Sequence, residues 1–187
     1  MVSQIKVNEI IKQSGSSITI GESGDTITLP STATLTNFPT NTPLVQAGFS
    51  SASQSISSGA DTEIVYTTIT KETPTGKFST STGRFTPGVT GFYYVSVLAR
   101  INGGNNSSEF GNLQIRLNGV ASTNGTQQGA TYRRYQDTGD HNSFEVSCIL
   151  ELTSVTDYIS AFIYQNQGSS KTLEANHTNF SAYRLIT

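Results

Sequence analysis

The chain has 187 residues and a mass of 20.0 kDa, enough for one sizeable core plus an appendage, with 13% charged residues and a formal net charge of -2. Roughly a quarter of it is Ser or Thr, and its eleven Lys and Arg are scattered apart from one Arg pair, which argues against a nucleic-acid binder that tracks a phosphate backbone. No apolar run is long enough to span a membrane, and the first residues lack the apolar stretch of a secretory signal, so synthesis in a cytosol without signal-peptide export is expected.

Residues 1–37 carry isolated apolar pulses. Ile5, Val7 and Ile10 come first, then Ile18-Thr-Ile20, Ile27-Thr-Leu29 and Ala33-Thr-Leu35, separated by Gly/Ser-rich turns. The last three pulses each offer two apolar side chains on one face, too few to bury anything alone. They gain stability by wrapping around other copies or by lying on another protein. The expectation is an arm or short β-stalk that needs partners, with a flexible tail as the competing reading. Residues 38–44 read as a linker, because Pro39 and Pro43 withhold backbone donors from a continuous sheet.

From residue 45 onward the chain reads as all-β. Thr, Val, Ile, Tyr and Phe favour strands, while Gly and Asn punctuate them, and α-helix should be nearly absent. Strands are expected near 45–50, 63–70, 91–101, 112–118, 143–152, 157–166 and 179–186, with shorter pieces around 77–80 and 129–132. That count, with its regular turns, predicts a β-sandwich or jelly roll. Several strands are apolar on both faces: after Gly91, Phe92, Tyr94 and Leu98 lie on one side and Tyr93, Val95, Val97, Ala99 and Ile101 on the other. A sandwich standing alone should be polar on its outer face. One face is therefore expected on the opposite sheet and the other against a neighbouring chain. Cys148 is the only cysteine; it shares an alternating face with Phe144, Val146 and Leu150 and is expected to act as a small buried hydrophobe.

Searching for chemistry yields little. His141 and His177 sit in Asn/Gly-rich loops, lack a local set of metal-ligand partners, and are read as exposed loop histidines. Asp137, Asp140 and Glu145 could share a Ca²⁺, but the alternating oxygen ligands of a dedicated loop are missing, so no metal or other cofactor is expected. No Gly-x-Ser-x-Gly elbow occurs and no carboxylate pair stands out, so an enzyme is not expected. Tyr132-Arg133-Arg134-Tyr135 is the one dense feature, able to stack on sugars or grip acidic glycans; a strand or loop whose arginines pair with Asp137 or Asp140 is the plainer reading.

Phe78, Phe85, Gly91 and Tyr93, in that spacing, resemble the signature of the globular head of complement subcomponent q, a relative of tumour necrosis factor. Val45-Gln-Ala-Gly-Phe-Ser50, Leu113-Gln-Ile-Arg-Leu-Asn118-Gly119, the pair 144–152 and 157–164, and Asn179-Phe-Ser-Ala-Tyr-Arg-Leu-Ile186 resemble further strands of that head in order, so the resemblance covers residues 45–187. The chain departs from the pattern at Thr73, Val95, Val97 and Thr156-Asp157. The resemblance implies a ten-strand jelly roll that assembles as a homotrimer, with Tyr93, Val95, Val97, Tyr158 and Phe162 as candidate interface residues. Residues 1–37 are similar to amino-terminal segments of virion and tail-fibre proteins of marine tailed phages. This implies a virion location, with Ile5, Val7, Ile10, Ile18, Ile20, Ile27 and Leu29 docking the arm on other virion proteins and the head reaching a host-surface glycan or cementing the capsid. A free-standing carbohydrate- or receptor-binding adhesin is the alternative.

Overall fold

A computed structural model of the chain describes residues 41–51, 54–103, 110–121 and 141–186, the backbone of 130–134, and the single positions 23, 24, 26 and 28. Two units are present, Met1–Phe38 and Pro39–Thr187, and the strands among the described residues belong to the second. The arm residues Ile5, Val7, Ile10, Ile18, Ile20, Ile27 and Leu29 lie outside the described residues.

The strands in chain order are β1 (Leu44–Gly48), β2 (Ser55–Ile56), β3 (Thr62–Glu63), β4 (Thr68–Thr73), β5 (Phe78–Ser79), β6 (Arg84–Phe85) and β7 (Gly91–Asn102). There follow β8 (Phe110–Leu117), β9 (Ala130–Arg134), β10 (His141–Leu152), β11 (Ile159–Gln165), β12 (Lys171–Leu173) and β13 (Asn179–Arg184). One 3-10 turn, Ala175–His177, is the only helical element among the described residues. The first sheet runs β4-β1-β13-β7-β10, with β12 also on β7 and β2 on β12. The second runs β5-β6-β11-β8-β9, with β3 also on β11. All these pairings are antiparallel, and the chain switches sheet from β7 to β8, from β9 to β10 and from β10 to β11: the two-sheet jelly roll.

Most expected strands fall in place within a few residues. The expected strand 63–70 is in fact two: β3 pairs with β11 in the second sheet and β4 with β1 in the first. Between them the chain crosses the sandwich, burying Ile64 and Tyr66 on the way. β2, β6 and β12 were not expected, since two or three residues show no periodicity.

The core lies between the sheets because each long strand alternates. In β10 the residues Phe144, Val146, Leu150 and Leu152 point inward, and Cys148, half-buried, packs against the same core. At one end an aromatic cluster forms: Tyr66 contacts Phe49, Phe78 and Phe180 with ring centroids 5.6, 6.2 and 5.8 Å away. The Phe78/Phe85/Gly91/Tyr93 spacing now has a physical reading. Phe78 and Phe85 are cross-strand partners, Phe85 meets Tyr93 edge-on at 6.2 Å, and Tyr93 donates its hydroxyl to the Val89 carbonyl at 2.8 Å. Burial pushes the Tyr93 hydroxyl up to about 12, against the opposing pull of the Arg184 cation. Gly91 has φ +129, and a Cβ there would meet the Arg184 guanidinium.

Strand register also defines two ends. Leu44 pairs with Tyr183 and Tyr183 with Tyr94, so β1 begins at the end where Gly91 faces Leu152. The opposite end is where Asn102 faces His141 and Thr172.

Candidate functional site

The first sheet turns one face outward, and this face is apolar where a solvated sheet would be polar. In register across it stand Ile149 of β10, Tyr94 of β7, Tyr183 of β13 and Leu44 of β1. Tyr94 and Tyr183 lie ring to ring at 5.4 Å. Phe92 and Ile149 are 38% and 53% exposed, beyond what scattered surface hydrophobes require, because they belong to one contiguous band. The next row, Ser147, Ser96, Ser181 and Gln46, is small or uncharged. A groove of about 450 Å³ opens over β13, β1 and β4, lined by Leu44, Gln46, Lys71, Ser181 and Tyr183 among others.

Strand β7 therefore does have two covered-type faces, but the assignment of its residues is corrected. Tyr93, Val95 and Val97 are 0% exposed and pack on the opposite sheet, so a neighbouring chain cannot reach them. The side available to a partner holds Phe92, Tyr94, Ser96 and Leu98. Period-two alternation separates the faces but not inside from outside when both are apolar.

Tyr158 and Phe162 lie elsewhere, on the second sheet side, and are half-buried. The Arg84 guanidinium lies 4.5 Å above the Tyr158 ring and that of Arg116 4.0 Å above Phe162. Arg84 grips Glu63 through both carboxylate oxygens at 2.8 and 2.9 Å, and that hydrogen bond holds its pKa above the usual guanidinium value. Arg116, almost wholly buried, pairs with Asp61 and bonds Gln114 Oε1 at 2.9 Å.

Both histidines belong to one cluster at the end opposite β1. His141 opens β10 and His177 closes the 3-10 turn, yet each directs Nδ1 to the Glu174 carboxylate, His177 at 3.3 Å. Arg100 Nε lies 3.0 Å from the same carboxylate, an ion pair not aligned as a hydrogen bond. Both histidines are exposed, as expected of them, and the carboxylate they share is far from His141 in sequence but three residues from His177. Among the described residues no group of three or more His, Cys, Asp and Glu is placed to hold a metal. Asp137, Asp140 and Tyr135 lie outside the described residues, and Glu145 is exposed on β10. Tyr132, Arg133 and Arg134 are described as backbone alone, pairing in register with Asn112, Gly111 and Phe110.

At the β1 end, a loop lock joins β8 to β11. Asp157 accepts from Asn118 Nδ2 at 2.8 Å and from the backbone of Thr153 and Ser154 at 2.9 and 2.8 Å. The Asn118 hydrogen bond, reinforced by those amides, holds the Asp157 carboxyl below its ordinary value. Asn118 in turn accepts from the Tyr158 amide and adopts φ +54. Nothing here is poised as a nucleophile or a general base.

What the strand order defines is a jelly roll of the type shared by complement-1q and tumour-necrosis-factor-like heads. Murine APRIL at pH 5.0 superposes with a TM-score of 0.53 at 13% identity, covering 76% of this chain and 98% of that one. The globular domain of zebrafish complement 1qA (TM-score 0.47, 15% identity, 77% of this chain and 98% of that) and the Eiger TNF of S. frugiperda (0.49, 14%, 76% and 92%) are further matches. No family model and no curated protein matches the sequence.

Proposed function

We propose that this chain is a non-enzymatic virion structural protein of a tailed phage, a fibre, spike or decoration protein whose head is a homotrimer. Residues 1–37 dock it on the particle, at capsid or tail, and residues 45–187 project to contact a host-surface glycan or to cement neighbouring capsomers. The observation that carries the self-association is the outward band Ile149, Tyr94, Tyr183 and Leu44, with Phe92 beside it. Burying such side chains stabilises by about 1.5–3 kcal/mol each, which a solvated sheet face leaves unused. The arm supports docking because its apolar pulses are too short to bury themselves. The protein is made in the host cytoplasm and resides in the virion.

Proteomics of purified particles tests the location: the chain should be present in many copies, and its absence would remove the virion role and favour the adhesin. Deleting residues 1–37 should leave a trimeric head that no longer enters particles; monomers would show that the arm drives assembly instead.

A further inference from the structure

Rings and amides share the outward face of the second sheet. On β11 the core positions Ile159, Ala161 and Ile163 are 0% exposed, so Ser160, Phe162 and Tyr164 point the other way. Register sets Arg116, Gln114 and Asn112 of β8 beside them, in that order. Arg116 is only 5% exposed although its guanidinium lies 4.0 Å from the half-buried Phe162 ring, so solvent meets this pair at the ring. Beyond Phe162, Tyr164 stacks on Phe110 at 5.4 Å. Arg116 Nε donates to Gln114 Oε1 at 2.9 Å, which fixes that amide and leaves its Nε2 without an acceptor among the described residues. Two more polar atoms on this face, Ser160 Oγ and Asn112 Oδ1, are buried without a partner and call for a further hydrogen-bonding group. The charges, by contrast, are matched in place: Arg116 faces Asp61 and Arg84 faces Glu63.

We propose that this face binds a neutral saccharide, with one sugar ring on Phe162, its hydroxyls on the Gln114 amide, and the next sugar toward Tyr164 and Asn112. A sugar presents C–H groups on its faces and hydroxyls at its rim, and aromatic rings take the first while amides take the second. A hydroxyl brought to Asn112 satisfies its oxygen once the amide turns outward. An acidic glycan gains little here, because both arginines already have their carboxylates. The rings are half-buried and polar atoms separate them, unlike the apolar centre of a protein interface. The self-association proposed above uses the first sheet, so this face stays open on every head. The inference rests on the host-contact reading and adds the ligand class and the surface.

Calorimetric titration of the full chain with hexasaccharides of glucose, mannose and galactose, and of galacturonic acid as the acidic counterpart, tests it. A neutral hexasaccharide should bind and the galacturonate should not, with an affinity unchanged between low salt and about 0.5 M salt. Phe162→Leu and Tyr164→Leu keep apolar volume but remove a ring, and each should raise the dissociation constant about tenfold. Gln114→Met alters no ring and should also weaken binding, so it decides the matter should a ring variant lose its cooperative melt. Light scattering should find the oligomeric state of all three unchanged. No binding of any neutral sugar, or preference for the galacturonate, would overturn the proposal while leaving self-association and the cementing role standing. Binding that survives all three variants would overturn it too, by moving the glycan contact to another surface and sparing the host-contact reading.

Discussion

At Gly83 an added Cβ would stand 2.0 Å from the Ile64 carbonyl oxygen, and the backbone has φ +74, so neither space nor conformation admits another residue. Gly83→Ala should destabilise the head by about 2–4 kcal/mol in urea unfolding, a large fraction of the stability of a domain this size. Tyr66 works in the opposite direction. Its hydroxyl is buried without a hydrogen-bond partner, and burial pushes its pKa well above the ordinary tyrosine value. Tyr66→Phe should stabilise by about 1 kcal/mol in the same assay, because it removes an unpaired polar atom and keeps the ring contacts. Asp157 gives the head an acid limit. Its folded pKa lies below the unfolded value of about 3.9, so its stabilisation is fully present above that pH and fades as pH falls through the depressed value. Asp157→Asn should be less stable than wild type at pH 7, with the gap between them closing below about pH 4 when the two are titrated side by side.

Within β7 neighbouring residues have opposite duties. Val95 is sealed between the sheets and Tyr94 faces out, one residue apart. Val95→Asp should abolish folding, since it strands a charge in the core. Tyr94→Asp should leave a folded head with weakened self-association, measured by melting and by light scattering on the same samples. The pair also shows what the sequence could and could not reveal. Alternation located β7, β8, β10, β11 and β13 to within a few residues, and the Phe78/Phe85/Gly91/Tyr93 spacing pointed to the right fold. The inward side of β7 was illegible because both faces are apolar, and only the position of the second sheet decides between them. The arginines over Tyr158 and Phe162 were equally illegible, because Arg84 and Arg116 are distant from those rings in sequence. The His141–Glu174 pair was invisible because the two lie far apart in the chain and meet only in the fold, whereas Glu174 and His177 are neighbours on one short turn.

For the whole molecule, the two sheets differ in what lies over their aromatics. In the second, Arg84 and Arg116, themselves paired, stand over Tyr158 and Phe162, and Phe110 stacks on Tyr164 at 5.4 Å. The first leaves Phe92, Tyr94, Ile149 and Tyr183 open, so solvent exposure of that band in a lone chain would be a standing aggregation liability. The proposed self-association through this face would remove it. Light scattering on the intact protein at micromolar concentration tests this most directly. The account predicts a mass of three chains; a mass of 20.0 kDa, that of one chain, would contradict it.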